Sequence, residues 1–174
     1  VVKERESGTL EQMFVTPIHA TEYLIGKLTP YAALATAQML LVAAGGLFWF
    51  KVPFNGNFWV VLVGLALFMF TCIGLGLLVS LVSRTRHQAQ QAVMFIMIPT
   101  MVLSGFIFPI QSMPAIIQPL TNLIPLTWAL EVLRGAFVKG SGFEALAVPM
   151  IVLAGFAVVI FGASIVATRR RIAE

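Results

Sequence analysis

This sequence contains few side chains of the types that take part in catalysis, and their spacing does not match a catalytic site. The only histidines are His19 and His87, and the single cysteine, Cys72, lies in the middle of an apolar run. The sequence contains no H-E-x-x-H zinc motif, nucleophile elbow or phosphate-binding glycine loop. A lone cysteine has no partner for a disulfide or a metal site. We therefore predict that this chain performs no catalysis, holds no metal and uses Cys72 as a packing residue.

Polar residues do cluster at the start of the chain, where they have the pattern of a docking helix. A capping box at 9–12 starts a short helix and Pro17 ends it. Leu10, Met13 and Phe14 fall on one face of that helix. Such a helix either lies on a membrane surface or seats its apolar face in a groove of a soluble partner. Composition leaves both uses open, although the acidic residues of the segment disfavour adhesion to an anionic leaflet: Glu4, Glu6, Glu11 and Glu22.

The rest of the chain has the composition of a polytopic membrane protein. Hydrophobic residues make up 59% of it and charged residues 10%, against roughly 25% charged residues in a soluble domain. The charges are clustered between apolar runs that are long enough to cross a bilayer. We predict an all-α membrane protein with a polar segment at 1–27 and four transmembrane helices, the first beginning at Thr29 and Pro30. The four spans are 28–50, 58–83, 89–108 and 145–168.

Residues 109–143 are too apolar for a solvated loop and too rich in proline for one continuous helix. We predict two short helices, at about 114–123 and 126–138, which dip into the outer leaflet as a re-entrant hairpin before the last span. The alternative is an amphipathic helix lying on the outer surface. Glu131 and Arg134, spaced i, i+3, form either part of an external gate or an ion pair at the membrane rim. The interrupting prolines are Pro109, Pro114, Pro119 and Pro125.

Lysine and arginine residues are distributed asymmetrically about these spans. With the N-terminal end in the cytoplasm, eight of the 11 basic residues lie on the inside, so the positive-inside rule places both ends of the chain in the cytoplasm. The basic residues form no stripe with interleaved aromatics, which disfavours nucleic-acid binding. The eight are Lys3, Arg5, Lys27, Arg84, Arg86, Arg169, Arg170 and Arg171.

The span centres carry no Asp, Glu, Lys or Arg, which disfavours an ion-coupled transporter because such proteins usually need an intramembrane charge. Seven phenylalanine and methionine residues could line an adaptable apolar surface or equally face lipid: Phe48, Phe68, Phe70, Met94, Phe95, Met97 and Met101. Small residues are expected to let the helices pack closely. They are Gly45, Gly46, Gly64, Gly74, Gly76, Ser80, Gly155, Gly162 and Ala163. The two valines that begin the chain predict the tail of an upstream span, and hence a fragment of a longer protein.

Three stretches together resemble the membrane subunits of ABC-2 type exporters. The segment 4–12, followed by Thr16-Pro17-Ile18 and Gly26-Lys27, is similar to the pattern after the second span of drug and antibiotic permeases of that family. The segment 103–109, which includes Ser104, Gly105, Phe106 and Pro109, resembles the signature at the end of the fifth span, and Met113-Pro114 fits its sequel. Ile124-Pro125-Leu126-Thr127 and Leu133-Arg134-Gly135 match the segment before the last span.

This resemblance implies a fold, a mechanism and partners. The four spans correspond to the third to sixth of the family, in a plasma (inner) membrane. The chain needs no cofactor, because a separate ABC ATPase subunit binds ATP and Mg and docks on the helix at about 9–16. A second permease half, identical or different, completes the pathway for drugs, lipids or other amphipathic cargo. The implied ATPase-coupling residues are Glu4, Glu6, Gly8, Thr9, Leu10, Glu11, Met13, Phe14, Thr16 and Pro17. The implied external-gate residues are Ser104, Gly105, Phe106, Pro109, Pro114, Pro125, Glu131 and Arg134.

The residues alone also allow two other functions. One is a membrane anchor or scaffold that uses the same amphipathic helix to hold a cytoplasmic protein. The other is a channel or secondary transporter, which the uncharged span centres disfavour. ATP-dependent movement of cargo separates the first alternative from an exporter, and dependence on an ion gradient or membrane potential identifies the second.

Overall fold

A computed structural model describes residues 20–49, 58–137 and 142–173. Regular structure within these ranges is entirely helical, with no strand, which confirms the all-α prediction. The helices are α1 (Ala20–Ala44), continued by one π-helical turn (Gly45–Trp49), α2 (Phe58–Val82), α3 (Arg86–Leu103), a 3-10 turn (Ile110–Ser112), α4 (Gln118–Thr121), α5 (Pro125–Phe137) and α6 (Ala147–Ala173).

Several helix ends differ from the sequence prediction, among them the start of α1 and both ends of α3. α1 begins at Ala20 rather than at Thr29 and continues through Pro30, so the last part of the predicted polar segment is helical. α3 begins at Arg86 rather than at the predicted residue 89. The side chain of Thr85 caps this start, because it accepts a hydrogen bond from the Gln88 amide at 3.2 Å. The helix ends at Leu103, before the predicted end of the third span at 108, because the backbone turns at the next two residues.

Among the described residues, two helices are long and apolar enough to cross a bilayer: α2 and the Ala147–Ala167 portion of α6. The apolar portion of α1, Leu28–Ala44, is shorter. α2 and α6 pack more extensively on each other than any other pair of described helices. They run parallel: Gly74 of α2 lies against Ile160 of α6. Further along both helices, Ala167 packs against the cluster of Leu77 and Leu81.

α1 runs antiparallel to α2. Leu28, near its start, packs with Leu77 and Leu81 near the end of α2. Two turns later, the Thr36 hydroxyl contacts the Met69 sulfur at 3.6 Å. The start of α1, the ends of α2 and α6 and the start of α3 therefore lie at one end of the helix group.

α5 lies against the first half of α2 and runs in the opposite direction. Val132 contacts Gly64, while Pro125 and Leu126, at the start of α5, share a cavity with Phe68, further along α2. The main buried core forms where α5 meets the starts of α2 and α6. Its residues are Val60, Val61, Ala129, Val132, Ala136, Leu146, Met150 and Leu153.

Only some of the predicted small residues make close helix contacts. A Cβ atom added at Gly64 would lie 2.6 Å from a Val132 methyl carbon, and one at Gly74 would lie 2.7 Å from an Ile160 methyl carbon. The Ser164 hydroxyl also reaches the Gly74 carbonyl at 3.2 Å, so α2 and α6 join through a small-residue contact with a hydrogen bond. Five other glycines make no such contact within the described part of the chain, where no atom lies within 4 Å of an added Cβ: Gly45, Gly46, Gly76, Gly155 and Gly162.

Candidate functional site

The predicted ATPase-coupling residues, from Glu4 to Pro17, lie outside the described residues. Their docking role therefore stays a prediction. The described chain begins at Ala20, within a helix that continues into the first apolar run.

The predicted gate begins where α3 stops. Ser104 is 1% exposed; its amide donates to the Thr100 carbonyl at 3.0 Å and its hydroxyl donates to the Met101 carbonyl at 3.3 Å. Gly105 then adopts a φ of +81°, in a region that residues with a Cβ rarely adopt. A Cβ at Gly105 would also lie 2.9 Å from a side-chain carbon of Ile110. Glycine is therefore required at this turn by both conformation and space.

Arg134 of α5 ties this turn to the rest of the structure. Its Nη2 atom donates to the Gly105 carbonyl at 2.7 Å, a short bond of the charge-assisted kind. The guanidinium also lies near the C-terminal end of α3, where the helix dipole favours positive charge. The predicted pairing of Glu131 with Arg134 does not form: Glu131 is exposed, and no ion pair joins these two described residues.

Replacing Arg134 with glutamine is expected to loosen the turn after α3 without unfolding the protein. Because Arg134 is largely exposed, we expect a loss of about 1 kcal/mol in local stability, and hence roughly fivefold faster amide exchange across residues 104–110. Hydrogen exchange with mass spectrometry on the purified protein measures this change. Glu131→Gln, on the same helix, is the control and should leave exchange unchanged. Equal exchange rates in both variants would show that the Arg134 bond does not hold the turn.

The other predicted gate residues are not gathered at this bond. Phe106 is 56% exposed, and Pro109 and Pro114 are exposed on the segment that follows. The first helix of the hairpin, predicted at about 114–123, is only the single turn Gln118–Thr121. Separate turns, rather than a continuous series of helical hydrogen bonds, lie before and after it. Pro125 begins α5 and lines a cavity rather than the turn.

Sequence reasoning missed the polar contacts at the start of α5. The Trp128 indole donates to the Asn122 carbonyl at 2.9 Å, which closes the turn that precedes the helix. The Thr127 hydroxyl is buried without a hydrogen-bond partner among the described residues. The string Pro125-Leu126-Thr127-Trp128 could have indicated these contacts. Proline favours the first turn of a helix, and the indole N–H of a tryptophan that follows it needs a hydrogen-bond acceptor nearby.

An apolar groove of 270 Å³ lies between α2, α3 and the start of α5. Three of the aromatic and methionine residues singled out from the sequence line it: Phe68, Met97 and Met101. Phe95, by contrast, points outward and is 81% exposed. Cys72, Gly76 and Thr100 also line the groove and had been assigned no such role.

Long apolar helices with an apolar groove between them are typical of a helical membrane protein. The chain belongs to the ABC-2 transporter family, since a family model described as "ABC-2 family transporter protein" matches residues 1–166. This match confirms the resemblance found in the sequence.

Curated relatives carry matching descriptions. The chain is 36% identical over 173 residues to "Probable multidrug ABC transporter permease YbhS" of Escherichia coli K12, covering 99% of this chain and 46% of that protein. It is 27% identical over 148 residues to "Inner membrane transport permease YhhJ" of the same strain, covering 83% and 39%. It is 29% identical over 143 residues to "ABC transporter G family member 20" of Dictyostelium discoideum, covering 82% and 20%. The chain thus spans less than half the length of these relatives. No solved structure matches it.

Proposed function

We propose that this chain is part of the permease subunit of an ATP-binding-cassette exporter, which moves drugs, lipids or other amphipathic cargo. In this proposal the chain hydrolyses no ATP itself; a separate subunit binds ATP and Mg and drives the movement. Family membership over residues 1–166 is the observation that carries the proposal. The description of a relative 36% identical to this chain as a probable multidrug permease supports the cargo class.

The proposed topology has four spans, a re-entrant hairpin and both ends in the cytoplasm of a plasma (inner) membrane. The alternating directions of α1, α2 and α3 and the parallel run of α2 and α6 support it. These directions bring together the helix ends that carry most of the basic residues, as the positive-inside rule requires of a cytoplasmic face. Those residues are Lys27, Arg84, Arg86, Arg169, Arg170 and Arg171.

The position of α5 favours a re-entrant segment over a helix lying on the surface. Its first residues line the same groove as Phe68, which lies ten residues after Phe58 and so about 15 Å along α2. That is roughly half the thickness of the hydrocarbon core. From this depth α5 runs back along α2 toward the start of that helix, as the second arm of a hairpin would.

A second permease half is proposed to complete the pathway. The groove of this chain measures 270 Å³, below the usual ~300–1,000 Å³ of pockets for drug-sized ligands. α3 has no buried residue in the described part of the chain, so other elements or lipid must cover it. The second half can be an identical or a related chain.

Co-purification of the full-length parent protein in mild detergent tests the proposed function. We expect a stoichiometric partner that carries a G-x-x-x-x-G-K-[ST] phosphate-binding loop and stimulates cargo uptake in reconstituted vesicles only with ATP. A partner without ATP-dependent transport would instead favour the anchor or scaffold function. Uptake that follows an ion gradient without any ATPase would favour a channel or secondary transporter.

A further inference from the structure

The apolar groove has a shape that suits one lipid chain from one leaflet. It extends along α2 from Val79 to Phe68 and along α3 from Val93 to Met101. Eleven residues of α2 correspond to about 16 Å, close to half of the ~30 Å hydrocarbon core. Pro125 and Leu126 line its far end, so a chain entering from the α2–α3 loop would end against the start of α5.

A basic loop stands at the opposite end of this groove. Arg84 and Arg86 are exposed in the connection between α2 and α3, and His87 follows them. Arg84 lies five residues beyond Val79, and Arg86 lies seven residues before Val93, distances of about 7 and 10 Å along helices. The sequence from 83 to 103 contains no acidic residue, so the loop and α3 together carry a net positive charge.

We propose that this chain binds one anionic phospholipid at the α2–α3 loop, with its phosphate against Arg84 and Arg86 and an acyl chain in the groove. Charge complementarity identifies the headgroup, because basic residues at a helix end attract anionic lipids. The apolar lining and the one-leaflet length identify the chain. In the proposed topology the lipid comes from the cytoplasmic leaflet, but the site itself is independent of ATPase coupling.

Such a lipid would connect two parts of the permease. It contacts the basic loop at one end and the start of α5, the proposed re-entrant segment, at the other. The lipid composition of the leaflet would therefore affect α5, the helix whose Arg134 bonds to the turn after α3.

Photo-crosslinking in vesicles tests the site on the full-length parent protein. The probe is phosphatidylglycerol with a diazirine on one acyl chain, compared with phosphatidylcholine carrying the same chain, and crosslinked peptides are mapped by mass spectrometry. We expect phosphatidylglycerol to label the groove-lining parts of α2 and α3 in preference to phosphatidylcholine. Arg84→Gln should lower phosphatidylglycerol labelling roughly fivefold and the double variant with Arg86→Gln roughly thirtyfold, whereas phosphatidylcholine labelling should not change.

Gly76→Leu tests the acyl-chain half of the site separately. Gly76 lines the groove and has no atom within 4 Å of an added Cβ among the described residues, so a leucine side chain there extends into the groove from an open position. We expect it to lower groove labelling by both lipids at an unchanged melting temperature. Gly155→Leu is the matched control, since Gly155 is equally open but lies on α6 outside the groove. Arg171→Gln, which removes one charge from the end of α6 on the same face, controls for general electrostatics.

Three results would overturn the proposal. Equal labelling by the two headgroups, unaffected by Arg84→Gln, would mean that only ordinary surrounding lipid occupies the groove. An equal loss with Arg171→Gln would mean that the total charge of this face, and not a site, attracts the lipid. Absence of groove labelling in the full-length protein would mean that a preceding segment, a second copy or cargo covers the groove instead.

Discussion

Replacing both Leu10 and Phe14 with aspartate is expected to abolish ATP-driven transport while leaving membrane insertion intact. The two side chains share the apolar face of the predicted coupling helix at 9–16, and a helix that docks in a groove binds through such anchors. Anchors of this kind each contribute about 2 kcal/mol or more, so losing two should weaken ATPase binding at least ~100-fold. Transport, ATP hydrolysis and co-purification, measured on the same reconstituted samples, check the result.

Gln12→Asp is the matched control for this variant. It adds a carboxylate to the same predicted helix, but helical spacing predicts that Gln12 lies away from the apolar face. Transport should persist with this variant. Glu11→Lys reverses a charge beside the apolar face. If the ATPase subunit recognises the acidic residues of the segment, this variant should also uncouple ATP hydrolysis from transport.

The same variants separate docking from adhesion to the membrane. If the helix only lies on the lipid surface, the aspartates will release the segment from vesicles and the ATPase subunit will still bind. Unchanged transport by the Leu10→Asp, Phe14→Asp protein would refute the coupling role. Because insertion depends on the apolar spans that follow, its survival shows that the lost transport is not a folding defect.

The sequence predicted α2 well because one physical effect dominates there. The apolar run from Phe58 onward contains no proline and stops at a basic loop, and the helix is Phe58–Val82 against a predicted 58–83. α3 was predicted less well at its end. Residues 106–108 are as apolar as the helix before them, so hydrophobicity cannot reveal that the backbone turns at Gly105.

Long-range partners were not readable from the sequence at all. Local spacing paired Arg134 with Glu131, but the guanidinium bonds to Gly105, a residue in a different element. The same limit applies to the glycines. Gly74 and Gly76 are two positions apart on α2, yet only Gly74 faces another helix closely. The neighbouring helices decide which side of a uniformly apolar helix contacts protein. A helix without polar residues has no amphipathic pattern from which that side can be predicted.

The close contact between α2 and α5 leads to the second large expected effect. Replacing Gly64 with leucine should strongly destabilise the protein, because an added Cβ would already lie 2.6 Å from a methyl carbon of Val132. Val132 is 1% exposed and its branched side chain has one favoured rotamer in a helix, so it cannot move aside. Overpacking of this kind costs about 1–3 kcal/mol and occasionally more. Thermal unfolding in detergent should show a lower melting temperature than that of the parent protein.

Gly76→Leu is the control on the same helix, because it introduces the same side chain where no atom lies within 4 Å of the Cβ position. Its melting temperature should match or exceed that of the parent, since leucine favours a helix by up to about 1 kcal/mol over glycine. Opposite effects at two glycines twelve positions apart on α2 would show that the loss at Gly64 comes from its contact rather than from glycine chemistry.

A compensating pair then identifies the contact itself. Gly64→Ala alone and Val132→Ala alone should each destabilise, the first by overpacking and the second by leaving a cavity. In the double variant, the methyl group added at Gly64 occupies space left by the shortened side chain at Val132. Its loss of stability should therefore be smaller than the sum of the two single losses by about 0.5 kcal/mol or more. Strictly additive effects would mean that Gly64 and Val132 do not touch, and would remove the support that this contact gives to a re-entrant α5.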